Sequence, residues 1–296
     1  MFVRIEASLR RFRRVFSRSQ WLVKLLNLDI PKGPATKPGL VMIQIDGLGF
    51  EHAERAMKEG RMPFLAQLRR QEGYKQYRHY TGMPSNTPAV QGALFYGVKS
   101  CVPAFSFKHR ESGQMHMLFN PVSAAAVQKC LEEKAGGPGL LEGGSAYGDI
   151  FTGGAKESHF CAAEMGWGKL LKVANPFRIP LTIFLNLHVV IRAAFFVVFE
   201  FFIAVADCLK GIAAGRSIKK ELMFIPLRVA VCVVLRDAAT EGAKIDIARG
   251  LPVIHVNFGG FDEQAHHRGP SSRFALWSLK GIDNAIKSIY NATLSF

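Results

Sequence analysis

Three places in the chain carry side chains able to do polar chemistry in settings that would hold them still. Asp46 follows the apolar run Leu40 to Ile45 (LVMIQI) directly and precedes Gly47-Leu48-Gly49. Thr87 opens TPAVQGALFYG, which reads as a helix over 87–97; Pro88 suits its first turn, because an amide there has no helical partner to lose. The third place is Asp262-Glu263-Gln264-Ala265-His266, followed by His267-Arg268-Gly269-Pro270. On a helical turn Asp262 and His266 share a face, a spacing at which a carboxylate and an imidazole can grip one metal ion. His267 is the rival ligand. Each feature alone has an ordinary reading: a strand-terminal aspartate as a turn or cap residue, a threonine before proline as an N-cap. Their order and settings give them weight.

The elements that must position them alternate between strand and helix. Leu40 to Ile45 and Pro252 to Phe258 (PVIHVNF) read as buried strands, and Met62 to Arg70 and Ser271 to Ala292 as helices, the latter with Phe274, Trp277, Ile282, Ile286 and Ile289 on its apolar side. Tyr74 to Tyr80 and Phe160 to Glu164 are predicted as further strands, and the glycine-rich Gly136 to Ala155 as a long structural or lid loop. That stretch has neither a P-loop lysine pattern nor GxGxxG. The alternation predicts an α/β fold, a mainly parallel sheet sandwiched by helices. Ligands of such sheets gather beyond the carboxyl ends of the strands, where Asp46, Thr87 and Asp262 would converge.

IQIDGLG at the first strand, MPFLAQL in the next helix, the Thr-initiated TPAVQGALFYG and the cluster DEQAHHRGP together resemble the alkaline phosphatase superfamily, in particular its type I phosphodiesterase and nucleotide pyrophosphatase branch. The resemblance covers about residues 40 to 120 and 250 to 292. It implies an alkaline-phosphatase-like fold and two divalent metal ions, commonly zinc, with manganese or magnesium as alternatives. Asp46 and Thr87 would hold one ion, Asp262 and His266 the other, and Thr87 would be the nucleophile toward a phosphoester substrate. Physically this is coherent: a threonine hydroxyl becomes a good nucleophile once a cation stabilises its alkoxide, and a helix N-terminus adds positive potential. Asn120, in LFNP, would contact a phosphoryl oxygen or form a structural turn. The family's later Asp-His pair and further histidine have no counterpart here, so each metal site is half built. That predicts a fragment, or a chain whose sites a missing C-terminal segment or a second chain completes. The competing expectation is a non-catalytic, membrane-associated binding module of the same fold. TPAVQG lacks the CxPxR setting of sulfatases. The other histidines, His255 among them, lack ligand spacing and default to surface or core roles.

The net charge is +15 over 296 residues, and the first 38 residues carry nine Lys/Arg against two Asp/Glu. Ile5, Leu9, Phe12 and Phe16 recur there at helical spacing among arginines, which fits a helix on an anionic bilayer, a helix docked on the protein's own core, or a mitochondrial presequence. No zinc-finger spacing or RNA-binding motif accompanies the basic arm, so no specific nucleic-acid partner is expected. Five widely spaced cysteines without a CxxC indicate reduced, mostly buried thiols.

Ile179 to Ala206 contains only Arg192 and Glu200 as formal charges. As a helix it would be ~42 Å long at ~1.5 Å per residue, more than the ~30 Å hydrocarbon core of a bilayer. Thr182, Asn186, Arg192, Glu200 and Asp207 fall on one narrow stripe, which should turn to protein or water. A second apolar run, Leu222 to Leu235, follows a basic connector. The expected organisation is therefore a basic arm and linker (1–38), the first part of the metallohydrolase domain (39–175), an inserted apolar helical segment (176–250), and a return to the domain (251–296). The insertion is expected to associate with an anionic membrane surface, on its cytoplasmic side, lying flat or spanning through 179–206.

Overall fold

The computed structural model describes residues 17–31, 38–99, 101–110, 112–165 and 187–294. Its centre is a four-stranded, all-parallel sheet in the order β1-β6-β4-β5: β1 (Leu40–Ile45), β4 (Ser145–Tyr147), β5 (Glu157–His159) and β6 (Val253–Phe258). A small antiparallel pair, β2 (Ser106–Lys108) and β3 (Met115–Met117), stands apart. The α/β sandwich expected from the alternation is present; its strand order follows from pairings invisible in the sequence.

Two apolar clusters cover the two faces, and the two-residue period of a strand sorts side chains between them. On β6, Ile254, Val256 and Phe258 join a core built with α2 (Phe50–Lys58), α3 (Pro63–Gln71), α8 (Arg236–Arg249) and α10 (Arg273–Thr293). Val253, with Ala146 and Met42, faces the opposite core, formed with α4 (Thr87–Tyr96) and α5 (Pro121–Ala135). The same alternation sends Met42, Gln44 and then Asp46 toward the α4 side. Asp283 of α10 ties one layer together by accepting hydrogen bonds from the Phe64 and Leu65 amides, at 2.8 and 2.9 Å, at the start of α3.

Three expectations about elements need correction. Tyr74 to Tyr80 pairs with no strand; it runs as an exposed connector, since YKQYRHY has no apolar face to bury. The strand expected at Phe160 to Glu164 lies earlier, at Glu157–His159, and Ala162–Glu164 is a turn of 3-10 helix. Phe160 separates them with φ 59°, a left-handed conformation incompatible with a strand. Gly136 to Ala155 is no free loop, because it contains β4, whose three residues are all buried. Gly144 packs so closely on β6 that a Cβ would collide with the Val253 carbonyl, so this glycine serves proximity rather than mobility.

The apolar insertion forms a helical hairpin of α6 (Leu187–Ala213) and α7 (Ile218–Val229), continued by a π-helical turn (Ala230–Leu235) into α8. Residues 179–186 lie outside the described residues. α8, which falls within 176–250, packs on α10 and β6 of the sandwich. Glu200 and Asp207 of the polar stripe do turn inward: Arg228 donates to Glu200 at 2.5 Å and lies 3.7 Å from Asp207, with all three side chains buried. Arg192 stays near the surface, 3.7 Å from Glu241. Phenylalanines and leucines cover the outer face; Phe202 and Met223 are each 65% exposed. Among the described residues no helix is long and apolar enough to cross a membrane.

The basic helix expected around Ile5 to Phe16 lies outside the described residues. The next one, α1 (Arg18–Leu26), docks on the protein itself. Leu22 and Val23 are buried, and the Gln20 amide donates to the Ala248 carbonyl at 2.9 Å. All five cysteines are free; Cys161, Cys208 and Cys232 are buried, whereas Cys130 is exposed.

Candidate functional site

Beyond the carboxyl ends of β1 and β6 lies a cavity of about 250 Å³, lined at its polar end by Asp46, Thr87, Asp149, Asn257, Asp262 and Glu263. Asp46 enters it from the end of β1. Thr87 enters from the first turn of α4, where Asn86 caps the helix by accepting from the Ala89 amide at 3.0 Å. The Asn86 side-chain amide also donates to the Pro103 carbonyl at 3.2 Å, anchoring the turn that carries Thr87. The Thr87 hydroxyl is within hydrogen-bond distance of both Asp46 oxygens, at 3.1 and 3.0 Å. It therefore sits in the positive potential of a helix N-terminus with its orientation set by a carboxylate.

Asp262 arrives from α9 (Gly260–Arg268), which starts immediately after β6. Its carboxylate lies over Gly47, where a Cβ would strike it; Gly47 has φ 70°, so glycine meets both a backbone and a space requirement. The strand-end loops of β1 and β6 thus approach each other at Gly47 and Asp262. Burial first, then the charge of Asp262, push the Asp46 carboxyl above its ordinary value, against the hydrogen bonds from Thr87 and Gln44. Burial also raises Asp262, with His266 opposing. His266 stands 3.4 Å from Asp262 on the same helix face, its side chain 79% exposed at the rim. The rival, His267, turns to the hairpin: it stacks on Phe224 and pairs with Glu221 at 3.3 Å. The structure thus brings Asp46, Thr87, Asp262 and His266 to one end of the sheet. Asn120 does not join them, since its side chain caps α5 by accepting from the Val122 and Ser123 amides.

Three polar side chains at the cavity escaped sequence reasoning, together with a buried histidine behind them. Asp149 follows β4 as Asp46 follows β1, but the surrounding glycines obscure the strand that would have marked it. It is buried and accepts from Gln91 of α4 at 2.7 Å, while its other oxygen meets His255 Nδ1 at 2.9 Å. Gln91 is oriented by the Ile150 amide, which donates to its oxygen at 2.8 Å. Burial lifts the Asp149 carboxyl to about 6, with the His255 hydrogen bond opposing. Glu263 is also raised, by burial and then by Asp262. Asn257 donates to the Gly148 carbonyl at 3.2 Å, leaving its own side-chain oxygen buried and unpaired.

Among the described residues no three His, Cys, Asp or Glu side chains converge on one point as a ready-made metal cage. The donors come as two pairs, Asp46 with Thr87 and Asp262 with His266. The pairs nonetheless fit divalent cations. Several carboxylates share a partly desolvated space with like charges; the guanidinium in the lining, Arg236, is paired with Asp237 at 2.8 Å, and Asn257 adds an unused acceptor. Oxygen donors with one imidazole suit magnesium, manganese or zinc. On its far side α9 is tied to the hairpin: Gln264 accepts from Arg228 at 3.0 Å, and Arg268 bonds Asp207 at 2.7 Å and also Glu221.

Comparison with protein-family models, curated proteins and solved structures gives no match to this chain.

Proposed function

We propose that this chain is a metal-dependent phosphoester hydrolase, a phosphodiesterase or phosphatase resembling the alkaline phosphatase superfamily, that works through Thr87 at a membrane surface. The observation that carries the reading is the Thr87 hydroxyl held on Asp46 at a helix N-terminus, in a cavity that Asp262 also enters. Asp46 accepts the hydroxyl proton and so turns an Oγ1 lone pair toward the cavity. Thr87 then forms a bond to phosphorus as the bond to the leaving alcohol breaks; water later cleaves the phosphothreonine and restores the hydroxyl. The positive end of α4 favours the phosphoryl charge at that position. Bound divalent cations, zinc or else manganese or magnesium, would supply the charge that activates the hydroxyl and neutralises phosphoryl oxygens. Asp46 and Thr87 would hold one, Asp262 and His266 the other. Water, substrate oxygens or donors from further polypeptide would complete both sites.

The test is hydrolysis of bis(p-nitrophenyl) phosphate with added zinc or manganese. Thr87→Ala is expected to reduce kcat by on the order of 10³-fold or more, and Thr87→Ser to retain part of the activity. Activity undiminished in Thr87→Ala would overturn the reading. A wild-type chain that binds cations without any turnover would favour the binding-module alternative.

A further inference from the structure

Much of the cavity wall is apolar. Besides the acids and Arg236 it is lined by Phe105, Phe119, Phe160, Met165, Val231 and Leu235. Several of these are presented to solvent rather than packed away: Phe119 is 73% and Met165 53% exposed, and Phe160 and Leu235 are exposed as well. A site built only for small hydrophilic phosphoesters has no use for a mouth ringed by large apolar side chains, whose exposure costs free energy. Val231 and Leu235 belong to the π-helical turn that continues α7, so the mouth is joined by the chain itself to the exposed apolar face of the hairpin. Helical turns of this wide type recur at functional sites.

Cations sit at the tip of the same hairpin, at the other end of α7 from Val231 and Leu235. Lys210, Arg216, Lys219 and Lys220 are all exposed around the turn between α6 and α7. Apolar side chains flanked by cations form the signature of an interface with anionic lipid.

We infer that the substrate is a lipid phosphoester taken from an anionic bilayer, its phosphoryl group at Thr87 and its apolar part along the wall from Phe119 to Leu235. This rests on the hydrolase reading above and names the substrate class for the same site. Chemically nothing is added: one phosphorus–oxygen ester bond of the lipid breaks, the Thr87 oxygen holds the phosphoryl group in transit, and water supplies the hydroxyl to phosphate and the proton to the departing alcohol.

The full chain is assayed in parallel on bis(p-nitrophenyl) phosphate, on phosphatidylglycerol vesicles and on phosphatidylcholine vesicles, with products identified by mass spectrometry. Phosphatidylglycerol is expected to be cleaved, and faster than phosphatidylcholine. Phe119→Ser with Leu235→Ser is expected to lower the ratio of lipid to soluble activity by at least about tenfold, the order expected from losing one buried apolar side chain. Phe202→Asp with Met223→Asp, outside the cavity, should abolish vesicle co-sedimentation and lipid turnover while soluble turnover persists. Cleavage of the soluble ester with no cleavage of either lipid would overturn the lipid assignment and leave the hydrolase reading standing. Failure on all three substrates would remove both. A lipid-free dimer that Phe202→Asp converts to monomers would overturn the assignment too, by giving the apolar face to a second copy.

Discussion

Replacing Asp149 by asparagine isolates one buried charge. In the folded chain the Asp149 carboxyl is lifted from the ordinary 3.8 to about 6, burial being the main cause. The folded chain therefore keeps a proton that the unfolded chain has already released between those values, so stability falls as the pH rises through this window. At ~1.4 kcal/mol for each tenfold, the full loss is about 3 kcal/mol, of which about 2 kcal/mol falls between about pH 4.5 and pH 7. Asparagine keeps the geometry: its oxygen accepts from Gln91 and its amide can donate to His255 Nδ1, now without charge. Asp262 and Glu263 are raised in both proteins and tilt them the same way; Asp46, whose charge adds to the Asp149 shift, belongs to the difference being read. The assay is urea unfolding in the presence of a chelator at the two pH values. With an m-value of roughly 3 kcal/mol/M, the wild-type midpoint should drop by ~0.7 M more than that of Asp149→Asn on going to neutral pH. Parallel pH profiles for the two proteins would show that Asp149 titrates normally and that its burial is relieved in some other way.

Gly47→Ala should cost about 1–2 kcal/mol in thermal stability for its left-handed backbone alone. It should also weaken cation binding in calorimetry, because the new methyl displaces the Asp262 carboxylate; unchanged affinity would separate Asp262 from the site. Arg228→Met leaves Glu200 and Asp207 buried without their guanidinium and should destabilise by about 3–5 kcal/mol. Adding Glu200→Met should recover part of that loss, and strictly additive unfolding energies would argue against the buried pair.

The sequence carries the two central strands openly, since LVMIQI and VIHVNF are apolar runs ending at glycine or aspartate. Asp46, Thr87 and Asp262 were legible because each sits at a marked boundary, a strand end or a proline-signed helix start. The stripe of Glu200 and Asp207 was legible from helical period, though its partner Arg228 on another helix was not. β4 was hidden because three residues among glycines have no periodicity, and the reason for Gly144, contact with Val253, lies about a hundred residues away in the chain. The Asp149–His255 pair has the same origin: it joins positions 106 apart that only the parallel pairing of β4 with β6 makes neighbours. Tyr74 to Tyr80 misled in the opposite direction, its tyrosines at every third position lacking a hydrophobic surface to bury.

The short helix α9 has a double allegiance. Asp262 lines the cavity at the carboxyl end of the sheet with His266 beside it at the rim, while Gln264 and Arg268, on the same two turns, are clasped by the hairpin's buried charges. Nine residues of helix cannot yield at one set of side chains without tilting the other. Under the proposed function, lipid adsorption at the hairpin and cation capture at the acids are coupled through this helix, and thermodynamic reciprocity requires each to strengthen the other by the same factor, or weaken it. A cation titration performed with and without vesicles would read that factor directly.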